Sequence, residues 1–195
     1  MINCIILGAG RSGTSMLSGI LYNAGYYMGD KLYNPNPSNP KGFFETKKIN
    51  SINEDILSAY DSNISVKFLN PFNKKYTVKI PGKNQRWLSL ISVDKEIKTD
   101  NRDIIDRINE MLSIEPYCYK DPRFSYTLPI WKKYFKSDTI FICIFREPEV
   151  TVKSILKECA DREYLSSLYI NKGIATKVWV NIYSHILKNY NNNPI

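Results

Sequence analysis

The feature that most restricts how this chain can fold is its opening, MINCIILGAGRSGTSML. Residues 2–7 are an apolar run of strand length that ends at Gly8. Met16, Leu17, Ile20, Leu21 and Ala24 then recur at helical spacing, with Gly25 as a stop. Between them lies GAGRSGTS, a glycine-rich turn from which a helix opens at Ser12 or Gly13. Strand, turn and helix in that order make the front of an α/β unit.

The same alternation continues along the chain. Residues 30–45, DKLYNPNPSNPKGFFE, hold three prolines and exclude regular structure. After Thr46, Ile49, Ile52, Ile56, Leu57 and Tyr60 share a helical face. Residues 61–84 carry little pattern, although TVKI at 77–80 reads as a strand. Helical spacing returns at 87–97 and again at Ile104, Ile105, Ile108, Met111 and Leu112. Residues 117–120 form a short strand ending in KDPR, and a helix is expected at 126–135 despite Pro129. TIFICIF at 139–145 is apolar and β-rich, as in the middle of a parallel sheet. A helix follows from about Glu149, and Ile174, Val178, Ile182 and Ile186 mark the last one. The tail NYNNNPI is polar and expected to fray.

Three polar clusters therefore stand at strand ends: GAGRSGTS, KDPR and REP. Ligands of parallel sheets bind at the carboxyl ends of the strands, so one shared site is expected there. At 195 residues the chain reads as one domain, 1–195. No apolar run approaches the roughly 20 residues of a membrane span, and residues 2–7 are too short for a signal-peptide core. A cytoplasmic location is the expectation. Cys4, Cys118, Cys143 and Cys159 have no metal-ligand spacing and read as reduced core thiols. No metal site is expected. The formal charge of +8 suits an anionic ligand. Its Lys and Arg residues are scattered, however, which disfavours nucleic acid.

GAGRSGTS nearly repeats the phosphate loop of nucleotide triphosphatases. Gly8 and Gly13 are correctly spaced and Ser15 offers the hydroxyl, but Thr14 stands where the lysine belongs. Backbone N–H groups and the helix dipole draw an oxyanion to such a turn. Gly10 and Gly13 allow close approach, Ser12, Thr14 and Ser15 add hydroxyls, and Arg11 adds charge. Without the lysine the loop is poorly equipped for a β,γ-phosphate pair with magnesium. A sulfuryl end group, with one negative charge against about two on a terminal phosphate, suits it better.

GAGRSGTSML resembles the 5′-phosphosulfate loop of sulfotransferases that use 3′-phosphoadenosine 5′-phosphosulfate. FREPEVTVKSIL resembles their 3′-phosphate segment, with Arg146 at a strand end and Ser154 eight residues on. NPKGFFE and KDPR are similar to two further segments of bacterial sulfotransferase-like proteins. The resemblance spans residues 2 to about 156. It implies a three-layer α/β/α fold of the P-loop NTPase type with a mostly parallel central sheet. It also implies sulfuryl transfer from that donor, without a metal, to a hydroxyl or amine of a small molecule, carbohydrate, lipid or peptide. Gly10, Arg11, Ser12, Gly13, Thr14, Ser15, Arg146 and Ser154 would bind the donor.

For chemistry, Glu45 is similar to the base of tyrosylprotein sulfotransferases, a Glu followed by Thr. Lys120 matches the Lys that stabilises the leaving oxygen. Where the cytosolic enzymes carry a catalytic His two residues later, this chain has Pro122. Asp121 is the second candidate base, or a salt-bridge partner of Arg123 or Arg11. Glu45 can equally be a helix N-terminal acid, and Arg146 can pair with Glu147 or Glu149. His185, far from the strand ends, reads as structural. The glycine- and basic-rich loop that closes over the nucleotide in many sulfotransferases is missing after Ser154. An atypical P-loop kinase or NTPase, or a non-catalytic nucleotide-binding domain, are the competing readings.

Overall fold

The structure, a computed structural model, describes residues 1–60, 67–69, 75–77 and 81–191. It is α/β. Strands β1 (Cys4–Leu7), β4 (Cys118–Lys120) and β5 (Ile140–Cys143) form a parallel sheet in the order β4-β1-β5. Cys4 pairs with Cys118 on one side and Ile140 on the other, so all three strands run level toward the same end. A short antiparallel pair, β2 (Lys67–Leu69) and β3 (Lys75–Thr77), forms a separate sheet. The strand expected at 77–80 meets β3 only at Thr77, since residues 78–80 lie outside the described residues.

β1 is central because it is apolar on both faces. Ile5 and Leu7 enter the large apolar cluster, which includes residues of α2 (Lys47–Ser58), α3 (Arg102–Leu112), α4 (Phe124–Trp131), α5 (Pro148–Asp161), the short α6 (Glu163–Ser166) and α7 (Lys172–Asn191). Cys4 and Ile6 point the other way, into a smaller cluster with Leu17 and Leu21 of α1 (Thr14–Asn23). Full burial of each such side chain contributes roughly 1.5–3 kcal/mol.

TIFICIF is not in the middle of the sheet. β5 is an edge strand among the described residues: Ile140 is 43% and Phe145 64% exposed, and Cys143 is exposed while the other three thiols are buried. An unbroken apolar run could not tell a central strand from an edge strand flanked by helices.

Helix limits follow local chemistry. Asn101 caps α3 by accepting from the Asp103 N–H at 3.0 Å. α4 runs from Phe124 to Trp131, a little earlier than expected, with Pro129 inside. Pro129 cannot donate to the Ser125 carbonyl, and the Asn189 amide donates to that oxygen instead, at 3.4 Å. The helix expected at 87–97 is reduced to a single 3₁₀ turn, Arg86–Leu88. The chain beyond it is held by other elements: Tyr126 donates to the Ser89 carbonyl, Asn181 and His185 to Ile91, and Lys188 to Val93. Trp87, Leu88, Ile91 and Ile97 still face the core, which is why their spacing looked helical.

The single histidine belongs to this clamp. His185 is 4% exposed, donates from Nε2 to the Ile91 carbonyl at 2.9 Å, and meets the Tyr126 ring edge-on. Burial pushes its pKa below the ordinary 6.5; the Ile91 carbonyl opposes this and Lys188 adds to it. The unfolded chain then binds this proton more tightly than the folded one. Stability should fall as pH drops from about 7.5 to 5.5, and His185→Gln should flatten that slope. Urea midpoints across the window measure it; an equal slope in the variant refutes the assignment.

Candidate functional site

The ends of β1, β4 and β5 open on a cavity of about 670 Å³, a size usual for small-molecule sites. Its wall carries five cations, Arg11, Lys83, Lys120, Arg123 and Arg146, against two carboxylates, Glu45 and Glu158.

The turn after β1 is shaped by close packing. A Cβ on Gly8 would stand 2.6 Å from the Ile144 carbonyl, and one on Gly10 would stand 2.8 Å from the Trp87 ring. Gly13, at φ 96°, is the N-cap of α1, and Arg11 itself sits at φ 72°. No side chain caps α1 and its first turn holds no acid. The partial positive charge of the helix end is thus uncompensated where Gly13, Thr14 and Ser15 line the cavity. Ser12 is different: its hydroxyl donates to the Ala9 carbonyl at 2.7 Å and it is buried in the turn rather than in the cavity wall.

Ser15 is the meeting point of three segments. Its Oγ accepts from Lys120 Nζ at 3.2 Å and from Asn39 Nδ2 at 3.0 Å. Both donors approach its oxygen, so its own proton is left for a third partner. Lys120 also forms an ion pair with Glu45, and Asn50 donates to the other Glu45 oxygen at 3.0 Å. Lys120 and Glu45, expected to cooperate, are therefore in direct contact. The Lys120 side chain is 2% and that of Glu45 13% exposed, and both border the cavity.

Asp121 does not border it. Its Oδ1 accepts from the Arg123 backbone N–H and from Arg123 Nη1, each at 2.9 Å, and its Oδ2 from Asn53 at 3.0 Å. Of the two roles open to it, the structure places it in the salt bridge with Arg123. Arg123 reaches on to Glu54 at 2.6 Å, and Arg86 takes the other Glu54 oxygen at 2.6 Å. Burial works against the Arg123 charge, but Asp121, Glu54 and Glu45 outweigh it and hold the guanidinium above the ordinary arginine range.

Arg11 turns inward. Its Nε donates to Ser154 Oγ at 3.1 Å and its Nη2 to the Ser38 carbonyl at 3.1 Å, while Nη1 lies 3.5 Å from Glu158. The proline-rich segment is irregular, as expected, and this is what pins it over the turn. There Asn36 Oδ1 gathers Ser38 N, Ser38 Oγ and Asn39 N at 2.8–3.1 Å. Arg146 is exposed and borders the same cavity, so the two arginines share one cleft. Among the described residues Arg146 pairs with neither Glu147 nor Glu149, and Glu149 instead lies 3.4 Å from Lys153.

Arg123, expected only as a partner of Asp121, lines the cavity too, and so do Trp87, Asn36, Ser38, Asn39 and Glu158, which were not singled out as site residues from sequence. Only the Asn and Ser residues carried a signal, since they sit between prolines where side chains replace missing backbone donors. His185 lies elsewhere, on a separate cavity of about 420 Å³. No protein-family model, curated protein or solved structure matches this chain.

The two arginine classes should separate on mutation. Arg123→Ala strands two buried carboxylates and should cost about 3–5 kcal/mol, read as a lower urea midpoint. Arg146→Ala, at an exposed side chain without an ion-pair partner among the described residues, should leave the midpoint unchanged. A midpoint for Arg123→Ala close to that of the unmodified chain would remove the ion network from the account of stability.

Proposed function

We propose that this protein is a sulfotransferase that moves the sulfuryl group of 3′-phosphoadenosine 5′-phosphosulfate to a hydroxyl or amine. The observation that carries the proposal is the shared cleft: a helix end and Arg146, neither of which has a side-chain partner among the described residues, open on one cavity, with the Lys120–Glu45 pair in its wall. Two separated anion donors suit a ligand with charged groups at both ends. The same proposal includes the three-layer α/β/α arrangement of P-loop proteins, supported by the parallel sheet with β1 central and apolar clusters on both faces. It includes a cytoplasmic location, which suits four free thiols.

In this reading the backbone of the turn and Ser15 hold the 5′-phosphosulfate, and Arg146 and Ser154, with the Arg11 side chain bonded to Ser154, hold the 3′-phosphate. The acceptor oxygen attacks sulfur as the bond from sulfur to the bridging oxygen breaks. The electron pair passes to that bridging oxygen, which leaves on adenosine 3′,5′-bisphosphate. Glu45 takes the acceptor proton, and Lys120 steadies the charge on the leaving oxygen. Lys120 and Glu45 contact one another, so each must exchange its partner for the reacting atom it serves. No step in this reading calls for a metal.

Thermal stabilisation by adenosine 3′,5′-bisphosphate, 5′-AMP and magnesium-ATP tests the reading. A ligand at 100 times its Kd adds about 2.7 kcal/mol. The bisphosphate should stabilise most; a larger effect of magnesium-ATP would favour a kinase or NTPase. Arg146→Ala should bring the bisphosphate down to the level of 5′-AMP. Glu45→Gln should slow bisphosphate release from the donor by roughly 10²–10⁴-fold across a panel of phenols, sugars and amines, with bisphosphate binding retained. Unimpaired release would remove Glu45 from the chemistry.

A further inference from the structure

One charged group in the cavity wall works against an anionic ligand. Glu158 stands on α5 four residues after Ser154, on the same helix face, and is 7% exposed. Its Oε1 accepts from Ser38 Oγ at 3.1 Å and from Arg162 Nε at 3.3 Å. Its Oε2 is buried without a hydrogen bond and lies 3.5 Å from Arg11 Nη1. A buried carboxylate oxygen that has a charge nearby but no donor is poorly satisfied. The other two arms of Arg11 are well placed on Ser154 and Ser38. The weak member of this cluster is therefore the contact between Arg11 Nη1 and Glu158 Oε2.

We propose that Glu158 is a resident stand-in for the ligand's anion: it holds the position beside Arg11 and Ser154 and yields it to a phosphate oxygen. The proposal rests on the reading of the cavity as an anionic-nucleotide site. Only Oε2 has to give way, because Oε1 keeps Arg162 and Ser38 and so keeps the strap in place. Glu158 thereby determines specificity. A phosphate dianion, which can match the guanidinium fork with two oxygens, displaces the carboxylate from Arg11. A ribose hydroxyl at that end cannot. A ligand with a 5′-phosphate alone gains nothing from the exchange.

Calorimetry at one ionic strength with orthophosphate, adenosine 3′,5′-bisphosphate and 5′-AMP tests this on Glu158→Gln. The variant should bind orthophosphate and the bisphosphate at least about fivefold tighter than the unmodified chain, and 5′-AMP within about twofold of it. If the bisphosphate binds neither protein while orthophosphate still gains, the sulfotransferase reading fails and the stand-in survives. If a folded Glu158→Gln gains nothing for orthophosphate, or gains equally for 5′-AMP, the stand-in is overturned. Should the variant not fold, crystals of the unmodified chain grown with orthophosphate decide. Phosphate on Arg11 Nη1 with Glu158 Oε2 withdrawn supports the exchange. Arg11 still on Glu158, with phosphate elsewhere or absent, overturns it.

Discussion

The buried guanidinium of Arg123, clamped between Asp121 and Glu54, fixes the geometry on which the cavity depends. Three separate stretches of chain converge on it. Asp121 and Arg123 lie directly after β4, Glu54 sits on α2, and Arg86 and the Asn84 N–H bring the 84–86 turn to Glu54. Asn53, one residue before Glu54, accepts from Thr127 and Trp131 of α4 while donating to Asp121. Asn53, Glu54, Asp121, Arg123, Thr127 and Trp131 are all buried, so removing one of them deprives its buried neighbours of a partner at a cost well above that of a surface pair. The network places Lys120 at the mouth of β4 and orients α2, whose Asn50 then positions Glu45.

Against this rigid floor the amino-terminal turn would, on the proposed reading, attract an anion mostly without side chains. The uncapped end of α1 supplies backbone donors and partial charge that need no reorganisation. Arg11 might have been expected to supply the full charge. Instead its three contacts tie the turn to α5 and to the proline-rich segment, which makes it a strut as well as a cation. Trp87 closes against Gly10 from the other side, so the turn has little freedom to change shape around a ligand.

Much of this was legible from residue order alone. Apolar runs marked the three strands, and the polar clusters after them marked the shared cleft, because strand ends in a parallel sheet must face one way. Glu45, Lys120, Arg11 and Arg146 were readable as charged residues next to element boundaries. What could not be read was governed by long-range partners. The 87–97 stretch has a helical spacing, but its carbonyls are claimed by α4 and α7, which one window of sequence does not contain. β5 looks like a core strand because exposure depends on which strands lie beside it. Sequence alone did not separate the two roles open to Asp121, a base or a salt-bridge partner, or set Ser12 apart from its neighbours as a donor-binding hydroxyl; Arg123 and the Ala9 carbonyl hold them. Glu158 gave no signal, since a glutamate in a helix is ordinary until Arg11 arrives from residues away.

The cavity's charges, taken together, explain how a strongly cationic wall can fold without a ligand. Lys120 is matched by Glu45, Arg11 by Glu158 and Arg123 by Asp121 and Glu54, so most of the positive charge is neutralised from within. Arg146 lacks such a partner among the described residues, and it is also the most exposed of these arginines, where water carries the cost of its charge. Partial internal neutralisation has a consequence for recognition. On the proposed reading an anionic ligand would have to replace carboxylates already in place, and only one that offers better geometry at several points together would gain from doing so. Selectivity in such a site comes from the exchange rather than from the sum of its positive charges.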